Sequence, residues 1–104
     1  MKAIFDKDGY PTDKILKRVE NWDFSKRSID EFLTLIEDLW SYKDRFVLTN
    51  KNVLRLYLST GGWSGNESII GAMMSNHLFW MCCWEKSRRG GHYWFKINEK
   101  KEGE

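Results

Sequence analysis

The chain has 104 residues, 41% of them hydrophobic and 31% charged, and its 17 basic and 15 acidic side chains leave a formal charge of +2. That balance describes one globular domain able to bury a core without staples, and it excludes a disordered chain. The small positive charge does not by itself point to nucleic acid, and it speaks against an acidic mimic of DNA.

Aromatic residues make up 15% of the chain, six of them tryptophan. Such rings serve cores and binding surfaces alike, so the count does not choose between them. The opening MKAIFDKDG has no apolar stretch of the kind a secretory signal needs. The longest apolar run, LFWMCCW at 78–84, is too short to span a bilayer. No membrane association and a cytoplasmic location are therefore expected. Cys82 and Cys83 are adjacent and would point to opposite faces of a strand, so both are read as reduced thiols. Neither metal spacing nor a cofactor motif is present, and no metal or cofactor is expected.

In chain order, KAIF (2–5) reads as a short strand, and DKDGYPT turns the chain at Gly9 and Pro11. Thr12 or Asp13 can cap a helix near 13–22 whose face carries Ile15, Leu16, Val19 and Trp22. Ser28 and Glu31 have the spacing of a capping box ahead of Ile29, Phe32, Leu33, Ile36 and Trp40, which predicts a helix near 28–41. The period then changes to two. FVLT (46–49) and VLRLYLST (53–60) predict a strand or a hairpin with Leu54, Leu56 and Leu58 inward, and Arg55 and Tyr57 outward.

STGGWSGNES (59–68) leads into a helix near 65–75 marked by Ile69, Ile70, Met73 and Met74. HLFWMCCWEK (77–86) is apolar on both faces and predicts a central strand. SRRGG turns it, and HYWFKI (92–97) returns with His92, Trp94 and Lys96 on one face. The fold class is α+β, in the order β-α-α-β-α-β-β, with a small mixed or antiparallel sheet and helices mainly on one face. Residues 1–98 form a single domain, and the charged segment 99–104 is expected to fray.

Two glycine loops are the main candidate sites. Ser64 and Glu67 fit S-x-x-E before an apolar helix, so a turn and a capped helix explain most of the first loop. Trp63 is left unexplained, and an anionic ligand at the helix start, contacting Trp63, Ser64, Asn66 and Glu67, is the functional alternative. The loop is not a P-loop, since no lysine follows the last glycine, and Gly62-Trp63-Ser64-Gly65 falls one residue short of G-x-S-x-G. In the second loop, Arg88, Arg89 and His92 could grip a phosphate or carboxylate, or simply form a solvated hairpin tip. If the strands bearing the loops run parallel, both loops emerge at one edge, and Trp63 would stand near Arg88 or Arg89. A third candidate is the sheet face opposite the helices. Arg55, Tyr57, Trp80, Trp84, Trp94 and Lys96 there would stack bases, hold a nucleotide or be covered by a second chain.

DGYPT (8–12), TGGWSGNESII (60–70), FW (79–80) and RRGGHYWF (88–95), with the tryptophan-bearing helices between, resemble a family of small uncharacterised proteins of phages and prophages. The resemblance spans nearly the whole chain. It implies a viral setting, with the host cytoplasm as location, and brings no catalytic residue with it. Ser59 stands where such proteins often carry a histidine, which speaks against a histidine-centred site.

The reading favoured is a non-catalytic binding module, host-modulating or anti-defence in role. It would act by contact with a host protein or by sequestering a small anionic, nucleotide-like ligand. Nucleic acid is not favoured, and homodimer formation stays open. The alternative is a small enzyme at the Gly61–Glu67 and Ser87–His92 loops, which would need a nucleophile–base pair that the sequence does not reveal.

Overall fold

The computed structural model describes residues 4–97. The expected fraying of the tail at 99–104 and the first half of the strand expected at 2–5 lie outside them. Phe5 forms only an isolated bridge with Pro11, and the Thr12 N–H donates to the Ile4 carbonyl at 3.1 Å. At its described residues, Ile4 and Phe5, the expected opening strand forms a clasp around the Gly9 turn.

Helix α1 (Asp13–Glu20) starts where expected. The Thr12 hydroxyl oxygen accepts the Ile15 N–H at 3.2 Å, filling one of the donors that a first turn leaves open. Helix α2 (Ile29–Leu39) opens with the full capping box. Glu31 N–H donates to Ser28 Oγ at 3.1 Å, and Ser28 N–H donates to Glu31 Oε1 at 3.3 Å. Its inward face buries Phe32, Leu33, Ile36 and Leu39.

A 3-10 turn at Lys43–Arg45 leads into β1 (Phe46–Asn50), which pairs with β2 (Leu54–Ser59) as an antiparallel hairpin. Helices α3 (Ser64–Ser75) and α4 (His77–Cys83) follow, then the hairpin of β3 (Trp84–Arg88) and β4 (His92–Ile97). The fold is α+β. The sheet is antiparallel throughout, in the order β1-β2-β4-β3.

The segment 77–86 corrects the expectation of a central strand. Residues 77–83 are helical, and only Trp84–Arg88 is strand, at the edge of the sheet. A short apolar run reads equally well as buried strand or buried helix by periodicity alone. Asn76 decides the matter. Its Oδ1 accepts the Phe79 N–H at 3.3 Å and starts α4, while its amide donates to the Val19 and Trp22 carbonyls at 3.1 and 3.3 Å. The helix then turns Phe79 and Cys83 inward and leaves Leu78 and Met81 outside, 60% and 84% exposed. Phe79 lies 4.8 Å from Phe32 and 5.5 Å from Phe95, ring centre to ring centre, so it joins α2, α4 and the sheet in one core.

The strands bury their apolar side chains on one face. Leu54, Leu56, Leu58, Phe95 and Ile97 are buried among helical side chains. On the intervening positions Arg55 and Lys96 are exposed, and Tyr57, His92 and Trp94 are half-buried. The helices therefore cover a single face and leave the other open.

Candidate functional site

The two glycine loops do meet. β2 and β3 run in the same direction because each is antiparallel to β4 between them, so both loops leave the sheet at one end. Thr60 N–H donates to the Gly91 carbonyl at 3.0 Å. Gly91 has φ +85, and a Cβ there would lie 2.2 Å from Thr60 Oγ1, so only glycine allows the loops to close on each other.

The expected neighbours are nevertheless different. Trp63 stacks on Tyr10, with ring centres 5.2 Å apart, and not on Arg88 or Arg89. Its ring also lies against the first turn of α3, where a Cβ on Gly65 would be 2.1 Å from it. Ser64 does not cap the helix. Trp63 occupies the cap position without a side-chain bond, and the Ser64 hydroxyl donates to Tyr10 Oη at 3.1 Å. Glu67 is exposed in the first turn of α3.

Asn66 is fully buried. Its Oδ1 accepts the Ser41 N–H at 3.1 Å, and its amide donates to the Ser41 and Thr60 carbonyls at 3.1 and 3.2 Å. It ties three segments together and has no exposed surface to offer a ligand. Arg89 is exposed in the β3–β4 turn, whereas Arg88 and His92 form a register pair on the open sheet face.

That face holds a grouping of rings and cations. The rings of Tyr57 and Trp94 are 5.0 Å apart, those of Tyr57 and His92 6.0 Å, and those of His92 and Trp94 6.2 Å. Tyr57 Oη and His92 Nδ1 share a hydrogen bond of 2.7 Å, and the two rings are nearly parallel, 11° apart. Lys86 Nζ lies 4.8 Å from the Trp94 ring centre, and Lys86, Ser87, Arg88 and Trp94 line a shallow depression of about 210 Å³. Arg55 reaches Glu85 at 3.2 Å, and Lys96 stands beside Arg55 in register. Trp80 and Trp84, expected on this face, lie on the helix side. Trp80 packs edge-on against Tyr93 and Phe95, and Trp84 pairs in register with Phe95.

Sequence reasoning missed the extension of this face at its loop end. Arg45 Nη1 donates to Ser59 Oγ at 3.4 Å, and its guanidinium lies 5.9 Å from the Tyr42 ring centre. Tyr42 is held at φ 66, a conformation that costs a non-glycine residue about 1–3 kcal/mol. There it sets its ring 3.0 Å from where a Gly61 Cβ would stand. No local sequence signal marks a tyrosine for that backbone.

Ser64 and His92 are not brought together: the Ser64 hydroxyl bonds Tyr10, and the hydroxyl beside His92 is that of Tyr57. Among the described residues, no three of His, Cys, Asp and Glu gather as a metal-holding group. No family model, no curated protein and no solved structure matches the chain.

Proposed function

We propose that the protein is a non-catalytic binding module whose open sheet face takes single-stranded nucleic acid. The observation that carries this is the trio Tyr57, His92 and Trp94, side by side on a helix-free face and flanked by Arg45, Arg55, Lys86, Arg88 and Lys96. Rings spaced about one base apart offer a stack to successive bases, and cations beside them track the phosphates. Nucleic acid moves ahead of a small sequestered nucleotide because the rings lie on a surface and not inside an enclosing pocket. The small net charge is no obstacle, because Arg45, Arg55, Lys86, Arg88 and Lys96 stand at this face while α2 carries Asp30, Glu31, Glu37 and Asp38. The resemblance to phage proteins would make this a factor acting inside the infected host.

Fluorescence anisotropy with labelled oligo-dT and oligo-U of about 15 nucleotides tests the reading. Both single strands should bind more tightly than duplex, with affinity falling as salt rises. Trp94→Ala should weaken binding by about tenfold or more, as loss of one stacking ring does. Equal binding of duplex, or affinity untouched by Trp94→Ala, overturns it.

A second reading, contact with a host protein, draws on Leu78 and Met81, which α4 presents outward. Leu78→Lys with Met81→Lys should then abolish host-protein capture while leaving oligonucleotide binding unchanged. Capture by this double variant equal to that of the unmodified chain would end that reading.

A further inference from the structure

The end of α1 and the turn that follows it enclose a groove of about 460 Å³, within the size range of small-molecule sites, roughly 300–1,000 Å³. Its lining includes Lys14, Lys17, Arg18, Lys26, Arg27 and Trp22. We infer that this groove binds an organic anion with a planar body, of the size and chemistry of a nucleoside phosphate.

Three observations converge on that chemistry. The first is charge. Of the five cations, only Arg27 has a carboxylate partner among the described residues, Glu31 at 3.8 Å on an exposed surface. The one acid in the lining, Asp23, is already engaged: its Oδ1 accepts the Ser25 N–H at 2.9 Å and the Ser25 hydroxyl at 2.6 Å. Lys14, Lys17 and Arg18 are left in the lining with no carboxylate partner among the described residues, and Lys26 is drawn only to Asp23, so phosphate oxygens would supply the missing counter-charge.

The second observation is an unanswered donor. Trp22 is only 9% exposed, yet its indole N–H has no acceptor among the described residues. Buried donors are almost always paired, and an unpaired one is costly. The indole is not free to seek a partner elsewhere. Its ring meets Phe32 edge-on at 5.6 Å, Arg27 covers it at 5.1 Å, and the Asn76 amide holds its carbonyl at 3.3 Å. Trp22 lines the groove with this nitrogen covered, so an acceptor at the edge of a ligand ring reaches the donor when the lining side chains give way.

The third is the wall itself. Ile15, Trp22 and the methylene stems of the lysines give the groove an apolar surface against which a planar body can lie. A bare phosphate would use only the cations, and an uncharged ring only the wall and the indole. A nucleoside phosphate uses all three.

The site is independent of the open sheet face, and one experiment separates them. ¹⁵N-labelled protein is titrated with AMP and ADP, and in parallel with adenosine and inorganic pyrophosphate. The Trp22 indole signal is assigned by its loss in Trp22→Phe. AMP or ADP should shift the Trp22 indole saturably and leave the Trp94 indole in place. Adenosine and pyrophosphate should each bind weaker by about tenfold, a difference of about 1.4 kcal/mol. Lys17→Gln with Arg18→Gln should weaken nucleotide binding by about tenfold while the melting temperature holds, because both side chains lie outside the core. Three results overturn the inference: no saturable Trp22 shift with any probe, pyrophosphate matching ADP, or nucleotide shifting only Trp94. The last would leave the sheet-face reading standing.

Discussion

Phe95 and Trp94 are neighbours on one strand and meet opposite fates. Phe95 is fully buried between the Phe79 and Trp80 rings, while Trp94 stands half-buried on the face that no helix covers. The same alternation runs through β2, where Leu56 and Leu58 are sealed and Tyr57 between them is not. One set of strands thus serves two purposes, divided by the pleat. The helix side gains its free energy from burial. The open side keeps aromatic area in water, which a small domain tolerates mainly where a partner will cover it. Stability and binding should therefore be separable residue by residue.

The sharpest way to break that division is to truncate both neighbours. Phe95→Ala should cost about 3–5 kcal/mol, by loss of transfer energy and the cavity it leaves. Trp94→Ala should cost about 1 kcal/mol or less, as for a side chain outside the core. Chemical denaturation of the two variants reads this directly, and comparable losses would show the open face to be structural.

A smaller but still large effect is expected at the strut between the loops and the helices. Asn66→Ala leaves the Ser41 N–H and the Ser41 and Thr60 carbonyls without their partner. The expected loss is about 2–3 kcal/mol, the cost of stranding buried polar groups. Because Thr60 also joins the Gly91 loop, amide exchange should quicken at both loops together.

The smallest pair compares two identical motifs. Ser28→Ala should cost about 1 kcal/mol, since its box is formed. Glu67→Ala should change stability by less than about 0.5 kcal/mol, because the matching box at Ser64 is not. Thermal melts of both suffice, and a loss at Glu67 equal to that at Ser28 would contradict the helix start described.

Those two S-x-x-E sites also show where the sequence stops being legible. The pattern is the same, but Gly65 lacks the Cβ that would exclude the Trp63 ring, so Trp63 takes the cap position and the helix starts at Ser64. That is a tertiary packing outcome, and spacing does not reveal it. The α+β class, α1 and α2 follow from period and capping signals, α3 follows from its apolar period alone, and the alternation over 46–60 allows one strand as well as the hairpin found. The segment 77–86 does not follow from such signals, because Asn76 starts a helix through a side chain whose other bonds reach back to Val19 and Trp22. On the site, Tyr57, His92 and Trp94 share the open face, as alternation along a strand allows one to read, while Arg88, expected in the hairpin turn, joins them from the end of β3. Asn66 looks in sequence like a ligand contact and is a strut. Tyr10, Tyr42 and Arg45 carried no signal, since each reaches its place by contacts from elsewhere in the chain.

The most direct test of the central claim is ultraviolet cross-linking of the protein to a single-stranded oligonucleotide, with the attached peptides identified by mass spectrometry. The account predicts adducts at Tyr57 and within 92–94, lost when duplex replaces the single strand. Adducts confined to α4, or to segments away from the open face, would contradict it.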